Sequence, residues 1–403
     1  MTPAPQPATI YTSHLQPTPS RIINHVLRSF CWRACVMSQR VVPEYNMTGS
    51  SNVPISGLEE LQSHVEQLVD DPSAAFDAKL FDDVELQLNE TNIPPLLPTL
   101  LPPLTAILKR TTQDPSPLLS LATKLLSPLS FTRCLTIADP NALVAALTSP
   151  VPGAILLALV IVHKAARTPA DAALLSTLPE VVEEVLRRWL DSSDVGVAER
   201  AGKVLGDLLE TDCDVAIDGV NGLSNGDGTH GTDLVKRRVP GHARLWRLIL
   251  LDRSFLSIIV SLCALENTDR QTTLAQGRLL RLVPRLVSLN PRALTQTPFP
   301  DLLPVPAPLA EKVGHGLLQW AALNMVDTSD ILMHLSLIDF HETFVSVMRV
   351  AGQSADKDKA VRDLVRTAAQ NDEQLKAALR GLPDRTVEEE SEPLARYISQ
   401  ILD

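Results

Sequence analysis

Few residues in this 403-residue chain have the types and spacing that chemistry needs. His334 and His341 stand seven apart, which brings two imidazoles to one face of a helix, with Asp330 and Asp339 nearby. A two-helix metal site has this look, but so do isolated core histidines, and no metal is expected. Cys31 and Cys35 lack the second ligand pair that a zinc site needs. The glycine-rich GDGTHG at 226–231 follows no strand pattern and ends in no Gly-Lys-Ser/Thr, so it is not a phosphate cradle. No G-x-S-x-G elbow, H-E-x-x-H or kinase motif occurs. The expectation is a non-enzyme without cofactors.

Charge is the more informative chemistry. The chain carries a net −11, unevenly spread. Residues 234–300 hold eleven basic and three acidic side chains, whereas residues 44–233 hold eleven basic and 27 acidic. Arg278, Arg281 and Arg285 follow i, i+3, i+7 spacing and so line one helix face, with Arg244 and Arg247 upstream in the same basic stretch. A guanidinium binds carboxylates through two parallel N–H donors, so these five arginines are the candidate contact with an acidic protein partner. The alternative is a self-contact with the chain's own acidic flanks. Direct nucleic-acid binding is not expected, because the chain is acidic overall and the basic stretch has few aromatics.

The elements that must position these arginines read as helices. Leucine dominates, aromatics are 4%, and no sustained period-2 run appears. In DVGVAERAGKVLGDLL (194–209), Asp194 stands at an N-cap position, and Val197, Ala201, Val204, Leu205 and Leu208 form a buried stripe. Ala201 and Gly202 permit close approach of a neighbouring helix, with Glu199, Lys203 and Asp207 on the wet side. This is the look of the second helix of a HEAT-type repeat, which must stack on neighbours to close its core. Residues 356–369 repeat the pattern with Val361, Val365, Ala368 and Ala369. Many of the 31 prolines, including Pro94/Pro95, Pro102/Pro103, Pro115, Pro169, Pro179 and Pro308, stand where helices should begin. The fold expected is all-α, an ARM/HEAT-like α-solenoid superhelix of antiparallel helix pairs over residues 47–403.

Residues 1–46 read as a disordered tail or a start placed too early, since Met37 and Met47 both precede the first periodic helix. RIINHVLRSFCWRACV within that tail also resembles a mitochondrial presequence. Residues 211–240 read as a flexible loop, 297–308 as a Pro-rich bridge, and the acidic 388–392 as a link before a last short helix. The leucine-rich segment 93–110 favours a buried helix over a PxxP ligand. The longest apolar run, Val151 to Val162, is about half the ~20 residues of a bilayer span, so no membrane partner is expected. Five scattered cysteines favour a reducing compartment, and a cytoplasmic or nuclear monomer is the expectation.

Three blocks carry a family resemblance: PGHARLWRLILLDRSFLSIIVSLCALEN (240–267), QGRLLRLVPRLVSLNPRAL (276–294) and DILMHLSLIDFHETFVSVM (330–348). Together they resemble fungal members of the proteasome regulatory-particle assembly chaperones. That family includes the proteasome non-ATPase regulatory subunit 5 of animals and a yeast protein first named for DNA mismatch repair. The resemblance implies a curved ARM/HEAT-like solenoid without catalysis or cofactor. It further implies binding to the C-terminal domain of a proteasomal AAA ATPase subunit during assembly of the regulatory-particle base. A HEAT-type adaptor in transport or trafficking is the alternative. If the arginines face the partner, charge reversal at two of them weakens binding and leaves helicity unchanged; binding that survives in moderate salt would exclude this stretch as the interface.

Overall fold

The computed structural model describes residues 54–71, 73–108, 110–111, 113–214, 239–265, 269–351 and 355–403. The 1–46 segment and most of the 211–240 loop lie outside them. The described residues form twenty α-helices and no strand. The first seven are α1 (Leu58–Asp70), α2 (Ala78–Glu85), α3 (Ile93–Leu108), α4 (Ser116–Leu126), α5 (Phe131–Ile137), α6 (Pro140–Leu147) and α7 (Pro152–His163). A 3-10 turn (Lys164–Arg167) leads to α8 (Pro169–Leu175), α9 (Pro179–Asp191) and α10 (Val195–Thr211). Beyond the loop come α11 (Arg244–Leu250), α12 (Arg253–Cys263), α13 (Arg270–Leu289) and α14 (Pro291–Thr295). The chain finishes with α15 (Ala307–Val313), α16 (Leu317–Leu323), α17 (Ile331–Val350), α18 (Ala355–Ala369), α19 (Glu373–Gly381) and α20 (Glu388–Leu402).

Local signals account for most helix starts. Asp194 Oδ1 accepts from the Val197 amide at 2.9 Å, and Asp139, Thr168, Asp269 and Asp372 cap their helices in the same way. Pro140, Pro152, Pro169, Pro179 and Pro291 occupy first helical positions, where the missing N–H costs no bond. Pro102 and Pro103 depart from the expectation: they start no helix but lie inside α3, as does Pro98. The core side of that helix, with Leu100, Leu101, Leu104, Ile107 and Leu108 buried, outweighs the lost backbone bonds. The acidic 388–392 segment is likewise not a link but the first turns of α20, where carboxylates face the positive end of the helix dipole.

Packing runs between neighbours along the chain. Helices α3, α7, α10, α13 and α17 form a column, each packed on the next, and every substantial contact joins helices at most four apart in chain order. The other helices flank this column; α9, for example, packs on α6, α10, α12 and α13. Buried apolar side chains from Leu61 to Ile401 make one contiguous cluster. The stripe of α10 (Val197, Ala201, Val204, Leu205, Leu208) is buried as its spacing requires. At Gly202 a Cβ would lie 2.9 Å from Trp189 Cδ1, so glycine sets the closeness of α9 and α10.

The 297–308 bridge is anchored to its surroundings. Leu303 and Val305 are buried in it, Arg253 pairs with Asp301, and the Arg253 guanidinium lies 5.4 Å over the Phe299 ring. The loop base is also held. Gly241 N donates to Cys213 O at 2.7 Å, and Ala243 N donates to Asp212 O at 2.8 Å. A Cβ on Gly241 would come 2.1 Å from the Asp212 carbonyl carbon, so only glycine fits. The wholly buried Asp212 accepts from Leu245 N at 2.6 Å, and Trp246 Nε1 donates to Leu209 O at 2.8 Å. Burial pushes the Asp212 carboxyl up, against the backbone amides that favour its charge.

Among the described residues α17 is the one helix long and apolar enough to cross a membrane by length and composition, yet it packs on α13, α19 and α20 and carries Asp339 and Glu342. At its centre His341 is wholly buried beside Phe340, and neither ring nitrogen has a hydrogen-bond partner. Burial lowers its pKa to about 4. The unfolded chain therefore takes up this proton near pH 6.5 while the native state does not. The contribution to stability is complete above that pH and is lost as pH falls from about 6.5 to about 4. Urea unfolding is expected to show a loss on the order of 2 kcal/mol from this group between pH 7 and 5. His341→Leu should flatten that pH dependence; an unchanged slope would contradict the buried, neutral assignment.

Candidate partner-binding surface

Helix α13 starts at the Asp269 cap and presents Arg278, Arg281 and Arg285 toward α9 and α10. The three share a face as their spacing requires, but that face is covered. Arg278 is only 8% exposed, and its two terminal nitrogens donate to the carbonyls of Leu190 and Ser192, each at 2.8 Å. These carbonyls close the C-terminal end of α9, where no intrahelical donor reaches them. Burial lowers the Arg278 pKa, yet arginine keeps its charge there. Arg278 is thus a buried cap for the end of α9.

Arg285, partly exposed, bridges Asp207 at 2.7 Å and Glu210, both on α10. Gly206 makes room for it, since a Cβ there would lie 2.4 Å from one guanidinium nitrogen. Asp207 also accepts from His163 Nε2 at 2.8 Å and lies 3.5 Å from Lys203 Nζ. One carboxylate therefore joins α7, α10 and α13. Burial opposes its charge, but Arg285 and His163 hold its pKa below the usual carboxylate range. Asp207 was expected on the wet side; the ion pair draws it half inside. Arg281 pairs with Glu199 at 2.7 Å with both side chains exposed, an arrangement worth little in water.

Arg244 and Arg247 are exposed on α11 and join none of these contacts. Arg247 donates to its own His242 carbonyl at 2.6 Å, and Arg244 has no side-chain hydrogen bond or ion pair among the described residues. Of the five arginines, Arg244 and Arg247 remain open to a partner, Arg281 is available at the cost of a weak ion pair, and Arg278 and Arg285 are committed internally.

The histidine reading resolves into two separate roles. His334 Nε2 lies 2.6 Å from Asp372 on the cap of α19, while His341 is enclosed in the core. Among the described residues no three His, Cys, Asp or Glu side chains are grouped to hold a metal ion. The sequence did not single out the exposed apolar turn at the start of α17: Ile331 is 76% and Leu332 74% exposed, with Leu335 beside them. These apolar side chains on one helical turn form an exposed apolar patch. Since α17 is apolar on nearly all sides, periodicity could not tell its outer face from its inner one.

Replacing Arg278 by Ala removes the 2.8 Å donors of the Leu190 and Ser192 carbonyls, leaves only the longer Gln271 Nε2 contacts at 3.4 and 3.5 Å, and is expected to lower stability by about 2 kcal/mol. Arg281→Ala is expected to cost less than about 1 kcal/mol. Urea denaturation of the two variants checks this, and equal losses would contradict the assignment of Arg278 as an internal cap. No protein-family model matches this chain, and no curated protein matches it significantly.

Proposed function

We propose that this chain is a non-enzymatic α-solenoid scaffold that binds the C-terminal domain of a proteasomal AAA ATPase subunit and assists assembly of the regulatory-particle base. The observation that carries the scaffold reading is the neighbour-to-neighbour column α3, α7, α10, α13 and α17. A core built from elements close in chain order supports a one-dimensional stack of ARM/HEAT type, which would leave a long surface free for a partner. The proteasomal reading rests on the resemblance of the three sequence blocks. They fall on α11–α12, α13–α14 and α17, and α12, α13 and α17 pack in series. A shared surface of the family would need such contiguity.

Two separate features are offered to the ATPase domain: Arg244 and Arg247 on α11, and the apolar turn Ile331, Leu332 and Leu335 on α17. Arginine is among the residues that protein interfaces enrich. The scaffold works as a monomer in the cytoplasm or nucleus and needs no cofactor.

Purification of the tagged full chain from its native cells, followed by mass spectrometry, tests the reading. Free base ATPase subunits without the proteolytic core are expected. Transport or membrane-coat proteins without proteasome subunits would replace it with the adaptor alternative.

A further inference from the structure

A cleft of about 400 Å³ opens where the end of α4, the 3-10 turn after α7 and the C-terminal half of α10 meet. Its wall carries Lys164, Arg167 and Arg200. Lys164 is buried, and its Nζ donates to Leu129 O at 3.0 Å; Arg167 donates to Ser127 O at 3.1 Å. Each uses one of its several donors on a neutral carbonyl. Arg200 has no side-chain partner among the described residues, and its Nε is buried without an acceptor. Among the described residues no carboxylate pairs with these three cations. The two carboxylates on the cleft wall, Asp207 and Glu210, are already engaged by Arg285.

We propose that this cleft binds a phosphomonoester dianion. A carboxylate brings one charge and two oxygens, whereas a phosphoryl group brings a charge near −2 and three strong acceptor oxygens. Three cations that pair with no carboxylate among the described residues, and the hydroxyls of Thr123 and Ser127 on the same wall, match the larger acceptor. The inference is independent of which client the scaffold holds. The phosphate can be free in solution or borne on a peptide side chain, and the experiment separates the two.

Isothermal titration of the full chain at constant ionic strength would use three probes. They are inorganic phosphate, a short capped phosphoserine peptide, and the same peptide with glutamate in place of phosphoserine. Both phosphate probes are expected to bind. Arg200→Gln and Arg167→Gln should each weaken binding by about tenfold or more, with helicity unchanged. Arg281→Gln, outside the cleft, should leave it intact. Tighter binding of the phosphopeptide than of free phosphate assigns the ligand to a protein partner; equal or tighter binding of free phosphate assigns a small molecule. Arg167 is exposed, so its variant carries the test if Arg200→Gln fails to fold. No binding of either phosphate probe, equal binding of the glutamate peptide, or loss-free variants would overturn the proposal.

Discussion

A helix that is apolar along one broad face must be covered, and in this chain the cover comes from the next helices along the sequence. The seam where α9, α10 and α13 meet shows what this demands. Small residues let backbones approach: Gly202 accommodates Trp189, and Gly206 accommodates Arg285. Polar groups trapped by the approach then need partners, because an unpaired buried donor or acceptor costs about 1–3 kcal/mol. Arg278 and Arg285 supply them. The basic stretch that looks from its composition like a docking surface is, in its most helical part, the fastening of the column.

Charge asymmetry therefore has two meanings here. The acidic first half and the basic middle are complementary within one molecule, and α10 carboxylates meet α13 guanidinium groups across a helix interface. A partly buried bridge of this kind holds orientation more than it adds net stability, since desolvation offsets much of the attraction. What is left for partners is the uncommitted remainder: two arginines on α11, an apolar turn on α17, and three cations around the cleft beside α7. The scaffold reading and the phosphate site draw on different members of that remainder.

Local features were legible in the sequence because they depend on nearby residues. The Asp194 cap, the buried stripe of α10, the prolines at first helical positions and the all-helical class follow from spacing alone. Features that depend on what covers a face were not legible. The i, i+3, i+7 spacing of Arg278, Arg281 and Arg285 says that they share a face, but not that Leu190 and Ser192 lie under it. Asp207 reads as solvent-facing until Arg285 is placed beside it. Asp212 accepts from Leu245 across the loop, a pairing 33 residues apart that no local pattern announces. The Pro102/Pro103 pair shows the opposite error, a strong local breaker overruled by burial of the leucines around it.

The central claim is that Arg278 and Arg285 of α13 fasten the column. A double-mutant cycle between Arg285 and Asp207, using Arg285→Met and Asp207→Asn and read by urea unfolding of the unliganded chain, tests it most directly. The account predicts a coupling above about 1 kcal/mol, as for residues in one ion-pair network. A coupling below about 0.3 kcal/mol would mean that Arg285 does not fasten α10 to α13, and would return it to the partner-facing surface.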